Sequence, residues 1–78
     1  MGLLPVIGIT TDIEQEAGRG VQRVDDAYIK AVERVGGSPL VVPIVDRMQS
    51  LEAIANLLDG LIITGGRGIE QGIVGELP

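Results

Sequence analysis

The chain has 78 residues, of which 45% are hydrophobic, and Tyr28 is its single aromatic residue, so it fits one small domain with an aliphatic core. A net charge of −5 with scattered Lys and Arg argues against nucleic-acid binding. The chain has neither Cys nor His, which excludes disulfides, thiolate metal sites, a thiol nucleophile and an imidazole base within these residues.

The first predicted element is a strand over residues 3–9, which are apolar on both alternating faces. Such a pattern is typical of a central parallel strand that is covered on both sides. Residues 10–23 are polar, and glycines and carboxylates interrupt any apolar period, so a long loop is predicted there. Thr10 and Thr11 end the strand, where a turn or capping role is favoured over a contact with a ligand.

A one-sided helix is predicted over residues 24–35, because apolar residues recur there at intervals of three and four. Asp25 and Asp26 lie where the helix dipole favours negative charge, and the glycine pair 36–37 supplies the C-terminal stop. Tyr28 falls on the apolar stripe and is predicted to be a packing anchor whose hydroxyl reaches a partner.

The remaining predicted elements are a strand over residues 39–44, a helix over residues 48–58 and a strand over residues 61–64. Asp46 and Gln49 have the spacing of a capping box at the start of this second helix. The order β-α-β-α-β requires parallel pairing and right-handed crossovers. The loops after the strands therefore meet along one edge of the sheet, the edge at which α/β proteins bind ligands.

A glycine-rich segment, Gly65-Gly66-Arg67-Gly68, follows the third predicted strand. Backbone N–H groups without Cβ obstruction can cradle an anion or an oxyanion, but an ordinary glycine turn has the same pattern, and both readings stay open. The segment lacks the Gly-Lys-Ser/Thr ending of a P-loop, and Gly18-x-Gly20 lacks the third glycine of a dinucleotide fingerprint. No cofactor is therefore expected.

Four acidic residues, Glu14, Glu16, Asp25 and Asp26, raise the question of a hard-cation site. Acidic side chains in loops and first helical turns are usually solvated or capping, so no metal site is predicted. The N-terminus has no basic leader, and no apolar run approaches the ~20 residues of a membrane span. A soluble, cytoplasmic protein is expected.

Four segments in this order carry a resemblance to one family: Pro-Val-Ile-Gly-Ile-Thr-Thr-Asp at 5–12, Asp-Ala-Tyr-Ile-Lys-Ala-Val-Glu-Arg-Val-Gly-Gly-Ser-Pro at 26–39, Val-Val-Pro at 41–43 and Leu-Asp-Gly-Leu-Ile-Ile-Thr-Gly-Gly at 58–66. The chain resembles the γ-glutamyl-γ-aminobutyrate hydrolase (peptidase C26) group of class I glutamine amidotransferase-like proteins. The resemblance implies a flavodoxin-like α/β domain with a parallel sheet, of which residues 1–78 are the incomplete N-terminal βαβαβ portion. It also implies that the first strand lies between the second and the third.

The same resemblance implies that γ-glutamyl amides are cleaved by a cysteine nucleophile with the help of a histidine and a carboxylate, all downstream of this chain. Gly66 matches the family's oxyanion-hole glycine, Gly65 lets the backbone approach, and Arg67 borders the substrate. The expected partners are a small-molecule γ-glutamyl substrate and the remainder of the domain, without nucleic acid or membrane. A homo-oligomer is left open.

The tail departs from the family pattern, because Gly68, Gln71 and Val74 stand where Asp, Pro and Tyr are usual. A pseudoenzyme, or a relative with a different γ-glutamyl substrate, therefore stays open. The alternative from another class is a non-catalytic α/β interaction module that assembles through the exposed sides of its sheet. The absence of Cys and His favours that alternative.

Overall fold

The computed structural model describes residues 3–64, which form a parallel sheet, two helices and a β-hairpin. In chain order the elements are β1 (Val6–Thr10), β2 (Asp12–Glu16), β3 (Arg19–Arg23), α1 (Asp26–Arg34), β4 (Ser38–Val42), α2 (Met48–Ala55) and β5 (Gly60–Ile62). β1 lies between β4 and β5 and runs parallel to both. The predicted α/β class, the parallel sheet and the central place of the first strand are confirmed, and the order is that of a flavodoxin-like start.

The centre of the sheet is built on the alternation of small and large residues along β1. Ile9 is completely buried and pairs with Val41 of β4 on one side and Ile62 of β5 on the other. The neighbouring Gly8 faces the opposite way, and a Cβ there would lie 2.7 Å from the Cδ1 atom of Leu58. The missing side chain therefore lets the segment after α2 pack directly on β1.

The start of α1 is set by Asp25, whose backbone is extended and whose carboxylate accepts a hydrogen bond from the Ala27 N–H at 2.8 Å. Such a cap satisfies one of the free N–H groups in the first helical turn. The helix consequently begins at Asp26 rather than at the predicted Val24. Tyr28 on this helix is half-buried.

The end of α1 is a Schellman motif. The Gly36 N–H donates to the Glu33 carbonyl, and the Gly37 N–H donates to the Val32 carbonyl at 2.9 Å. Gly36 has φ +94°, a left-handed conformation that an L-residue with a Cβ adopts only at a cost. The predicted glycine stop is confirmed.

Residues 10–23 contain a β-hairpin, so the prediction of a long loop is wrong. β2 and β3 pair antiparallel along their full length. A two-residue connection joins them, with Ala17 at φ 52° and Gly18 at φ 81°. Positive φ at both positions is the feature of a type I′ turn, whose twist matches that of the flanking strands.

The second half of the described chain follows the predicted order with shorter elements. β4 ends at Val42, two residues earlier than predicted, α2 ends at Ala55, and β5 covers Gly60–Ile62. The predicted capping box is wrong, because the N-cap residue of α2 is Arg47 rather than Asp46. Within residues 3–64, neither helix is long and apolar enough to cross a membrane.

Apolar side chains around α2 stay largely exposed. Met48 and Leu51 on the helix, Leu57 after it and Leu61 on β5 have exposed fractions between 44% and 66%. On the other face of the sheet, α1 buries Val32 almost completely. The face of the sheet that α1 covers is therefore better packed than the face that α2 covers.

Replacing Gly36 should measure how much free energy a residue with a Cβ loses in the left-handed conformation at the end of α1. No atom beyond its chain neighbours in the described structure lies within 4 Å of a Cβ built at Gly36, so Gly36→Ala adds backbone strain without a clash. We expect the free energy of unfolding, measured by urea denaturation, to fall by about 1–2 kcal/mol. Gly36→Asn should lose less, because Asn tolerates this conformation. Equal losses in the two variants would contradict the strain explanation.

Candidate functional site

Three segments leave the sheet at the carboxyl ends of its parallel strands. They are the β2–β3 hairpin after β1, the loop that begins at Pro43 after β4, and residues 63–64 after β5. Open α/β sheets bind their ligands at this edge, because the loops there can change without disturbing the strands. We take this edge as the candidate functional site.

Thr10 and Thr64 join the ends of β1 and β5 at this edge. The Thr64 N–H donates to Oγ1 of Thr10 at 2.9 Å, and the Thr64 hydroxyl donates to the Thr10 carbonyl at 3.0 Å. Thr64 is only 3% exposed, so these bonds satisfy polar groups that water reaches poorly. The two reciprocal bonds hold the residue that precedes Gly65 against the end of the central strand.

Gln22 of β3 ties the hairpin to the loop after β4. Its Oε1 atom accepts hydrogen bonds from the Thr11 hydroxyl and from the Ile44 N–H, both at 2.7 Å. Its Nε2 group donates to the Ile44 carbonyl at 3.1 Å. One side-chain amide therefore engages both backbone groups of Ile44, much as a neighbouring strand would.

An apolar cavity of about 280 Å³ lies between α2 and the sheet, next to these contacts. Its walls include Thr10 and Thr11, the loop residues from Pro43 to Val45, and the side chains of Leu51 and Leu58. Because most of the wall is hydrocarbon, the cavity suits apolar groups and offers little to a charged ligand.

The acidic residues that raised the question of a metal site each have another role. Glu14 and Glu16 form ion pairs with Arg23, the former at 3.0 Å, and Asp25 caps α1. Asp26 pairs with Lys30 one turn later in the same helix, at 3.1 Å. Within residues 3–64, no group of three carboxylates is placed to hold a metal ion.

The residues singled out from the sequence, Gly65, Gly66 and Arg67, lie outside the described residues. Thr64, which immediately precedes them, lies at the carboxyl edge of the sheet beside β1. Sequence reasoning missed Gln22 and Thr64. A polar residue within a segment interpreted as a loop carries no signal of its own, so Gln22 was not recognisable. Thr64 could have been recognised, since threonines end two strands that were predicted to be neighbours.

Comparison with known proteins adds one finding to this geometry. A family model described as Peptidase C26 matches residues 5–78, which include all of the helices and strands of the described structure. No curated protein matches the chain significantly.

The bonds between Thr10 and Thr64 can be tested by removing one hydroxyl. Thr10→Val keeps the branched shape but takes away the acceptor of the buried Thr64 N–H. We expect the free energy of unfolding to fall by about 1–3 kcal/mol, the usual cost of an unsatisfied buried polar group. Thr10→Ser keeps the hydroxyl and should be closer to the parent protein. If urea denaturation shows the serine variant to be the less stable one, shape rather than hydrogen bonding governs this position.

Proposed function

The chain belongs to the peptidase C26 family, which indicates a glutamine amidotransferase-like protein of hydrolase type, and we propose that the full-length protein cleaves γ-glutamyl amide bonds. In this proposal a cysteine thiolate attacks the γ-carbonyl carbon, and the resulting tetrahedral oxyanion is stabilised by backbone N–H groups. A histidine then transfers a proton to the leaving amine, and water releases glutamate from the thioester. Residues 1–78 contain neither Cys nor His, and the proposal places both groups in residues downstream of them.

The contribution of this chain to the proposed reaction is the glycine segment after β5. Gly66 donates its N–H to the oxyanion, and Gly65 allows the backbone to come close to the substrate. Arg67 borders the substrate, where a guanidinium group can pair with the carboxylate that every γ-glutamyl compound carries.

The observation that best supports this assignment is the pair of hydrogen bonds between Thr10 and Thr64. They hold the backbone two residues before Gly66 at the carboxyl edge of the sheet, beside the central strand. An oxyanion hole works only if its donors are held in place before the charge develops. Because Thr64 is held in place two residues before Gly66, a catalytic role for Gly66 fits better than an ordinary surface turn.

A non-catalytic interaction module, or a pseudoenzyme, is the second candidate. Exposed apolar residues on the outer strands favour it: Leu40 and Val41 on β4, and Leu61 on β5, have exposed fractions between 36% and 51%. In an enzyme the remainder of the domain would cover such surfaces, and in an interaction module another protein would. A direct assay of hydrolysis separates the two candidates.

The full-length protein should release the amine from a chromogenic γ-glutamyl anilide, and alkylation of its thiols should abolish that activity. The isolated 78-residue chain should show no turnover, because it contains no thiol nucleophile and no imidazole base. Turnover by the isolated chain, or turnover by the full-length protein that survives complete alkylation, would rule out the proposed mechanism.

Gly66→Ala in the full-length protein tests the oxyanion role directly. A Cβ that displaces the N–H donor should lower kcat by about 10²–10³-fold while changing substrate binding comparatively little. Gly68→Ala is the matched control, since it alters a glycine of the same segment that has no assigned role. Activities are compared at equal folded fractions. Unchanged turnover of Gly66→Ala would remove Gly66 from the site and leave the interpretation as an ordinary turn.

A further inference from the structure

We propose that Gln22 is a positioning residue, whose amide locks the β2–β3 hairpin to the loop after β4 and so fixes one wall of the substrate site. The consequence for substrate binding depends on the function proposed above. The hydrogen bonds that form this lock join described residues, and their effect can be tested without an enzyme assay.

The hydrogen bonds of Gln22 use its amide almost completely. Oε1 accepts from Thr11 and from Ile44, and Nε2 donates to Ile44, so two acceptor sites and one donor are engaged. Thr11 is 3% exposed, and its hydroxyl depends on this acceptor. A carboxylate could replace the acceptor but not the donor, and a shorter amide would not span the same distance. The position therefore favours glutamine over glutamate and asparagine.

The hairpin has little other attachment to the sheet. Of its ten strand residues, only Asp12 and Val21 are even half-buried, and the rest are exposed. Burial of apolar area therefore contributes little to holding it in place. Its ion pairs between Arg23 and the two glutamates lie within the hairpin and do not reach the sheet. Loss of the Gln22 bonds should release the hairpin locally while the parallel sheet stays folded.

The loop that Gln22 holds is part of the candidate site. Ile44 and its neighbours Pro43 and Val45 line the apolar cavity together with Thr10 and Thr11. Thr10 in turn holds Thr64, the residue before the glycine segment. Gln22 thus fixes the hairpin and the loop after β4 relative to each other, and the threonine pair fixes Thr64 against the end of β1. The apolar part of a substrate bound at this edge meets a preformed wall rather than a mobile loop, which lowers the entropy cost of binding.

The experiment compares Gln22→Ala with Gln15→Ala in the full-length protein. Gln15 is the matched control, because it is a glutamine of the same hairpin and its side chain has no hydrogen-bond partner within residues 3–64. Amide hydrogen exchange at Ile44 should become about tenfold faster in Gln22→Ala, in line with the loss of one or two hydrogen bonds, and should not change in Gln15→Ala.

Kinetics on a γ-glutamyl anilide supply the readout that a purely stabilising residue would not move. In Gln22→Ala we expect KM to rise by about five- to tenfold with kcat nearly unchanged, at matched folded fractions. Gln22→Glu keeps both acceptor bonds and loses the donor, so its KM should lie between those of Gln22→Ala and the parent protein. The Gln15→Ala variant should have the KM of the parent.

Unchanged exchange at Ile44 in Gln22→Ala would overturn the lock, and faster exchange with an unchanged KM would overturn the positioning role. A parent protein that hydrolyses no γ-glutamyl compound would instead defeat the proposed function. In that case the exchange rate at Ile44 still decides whether Gln22 holds the loop.

Discussion

The described structure depends on the pairing of β1 on both of its edges. Within residues 3–64, β1 is the strand that has a parallel neighbour on each side. Val6 at its start exchanges hydrogen bonds with Asp59, whose carboxylate and N–H lie 2.8 Å and 2.7 Å from the Val6 N–H and carbonyl, respectively. Thr10 at its end holds Thr64. Both ends of β1 therefore hold the residues that flank β5. A displacement of β1 would also displace Thr64, the residue before the glycine segment.

The sequence was sufficient to predict the sheet and insufficient to predict the hairpin, for a physical reason. β1 is apolar on both faces and α1 has a one-sided apolar stripe, so burial itself imposes the pattern that periodicity detects. The hairpin buries almost nothing, and its strands carry polar residues on both faces, so no such pattern exists there. Its turn is Ala17-Gly18 rather than the usual Asn-Gly, which removed the remaining local signal. The misplaced cap of α2 has a similar cause, since capping motifs are short and Asp46 lies one residue before the true N-cap.

The candidate site, too, could be predicted from the sequence only in part. Its place at the carboxyl edge follows from the β-α-β-α-β order, because parallel strands bring their C-terminal loops together. The contacts that shape the edge do not follow, because they are side-chain bonds between residues far apart in the chain. Gln22 reaches Ile44, 22 residues later, and Thr10 reaches Thr64, 54 residues later. A single sequence contains the residue types for such bonds but not their pairing, and only the fold selects the partners.

The chain contains no cysteine nucleophile, so in the proposed hydrolase its part is to shape the site around the reacting groups. In the proposed enzyme the nucleophile and the base lie downstream, and this portion supplies backbone donors and the walls around them. Donors of that kind are useful only when they are rigid before the substrate arrives, since an oxyanion hole that must reorganise loses most of its advantage. The hydrogen bonds of the threonine pair, and in our proposal those of Gln22, supply such rigidity without a large core. They can therefore hold the edge in place although the α2 side leaves apolar groups such as Leu51 exposed in the described structure. In the proposed enzyme such a surface would suit packing against further residues of the protein.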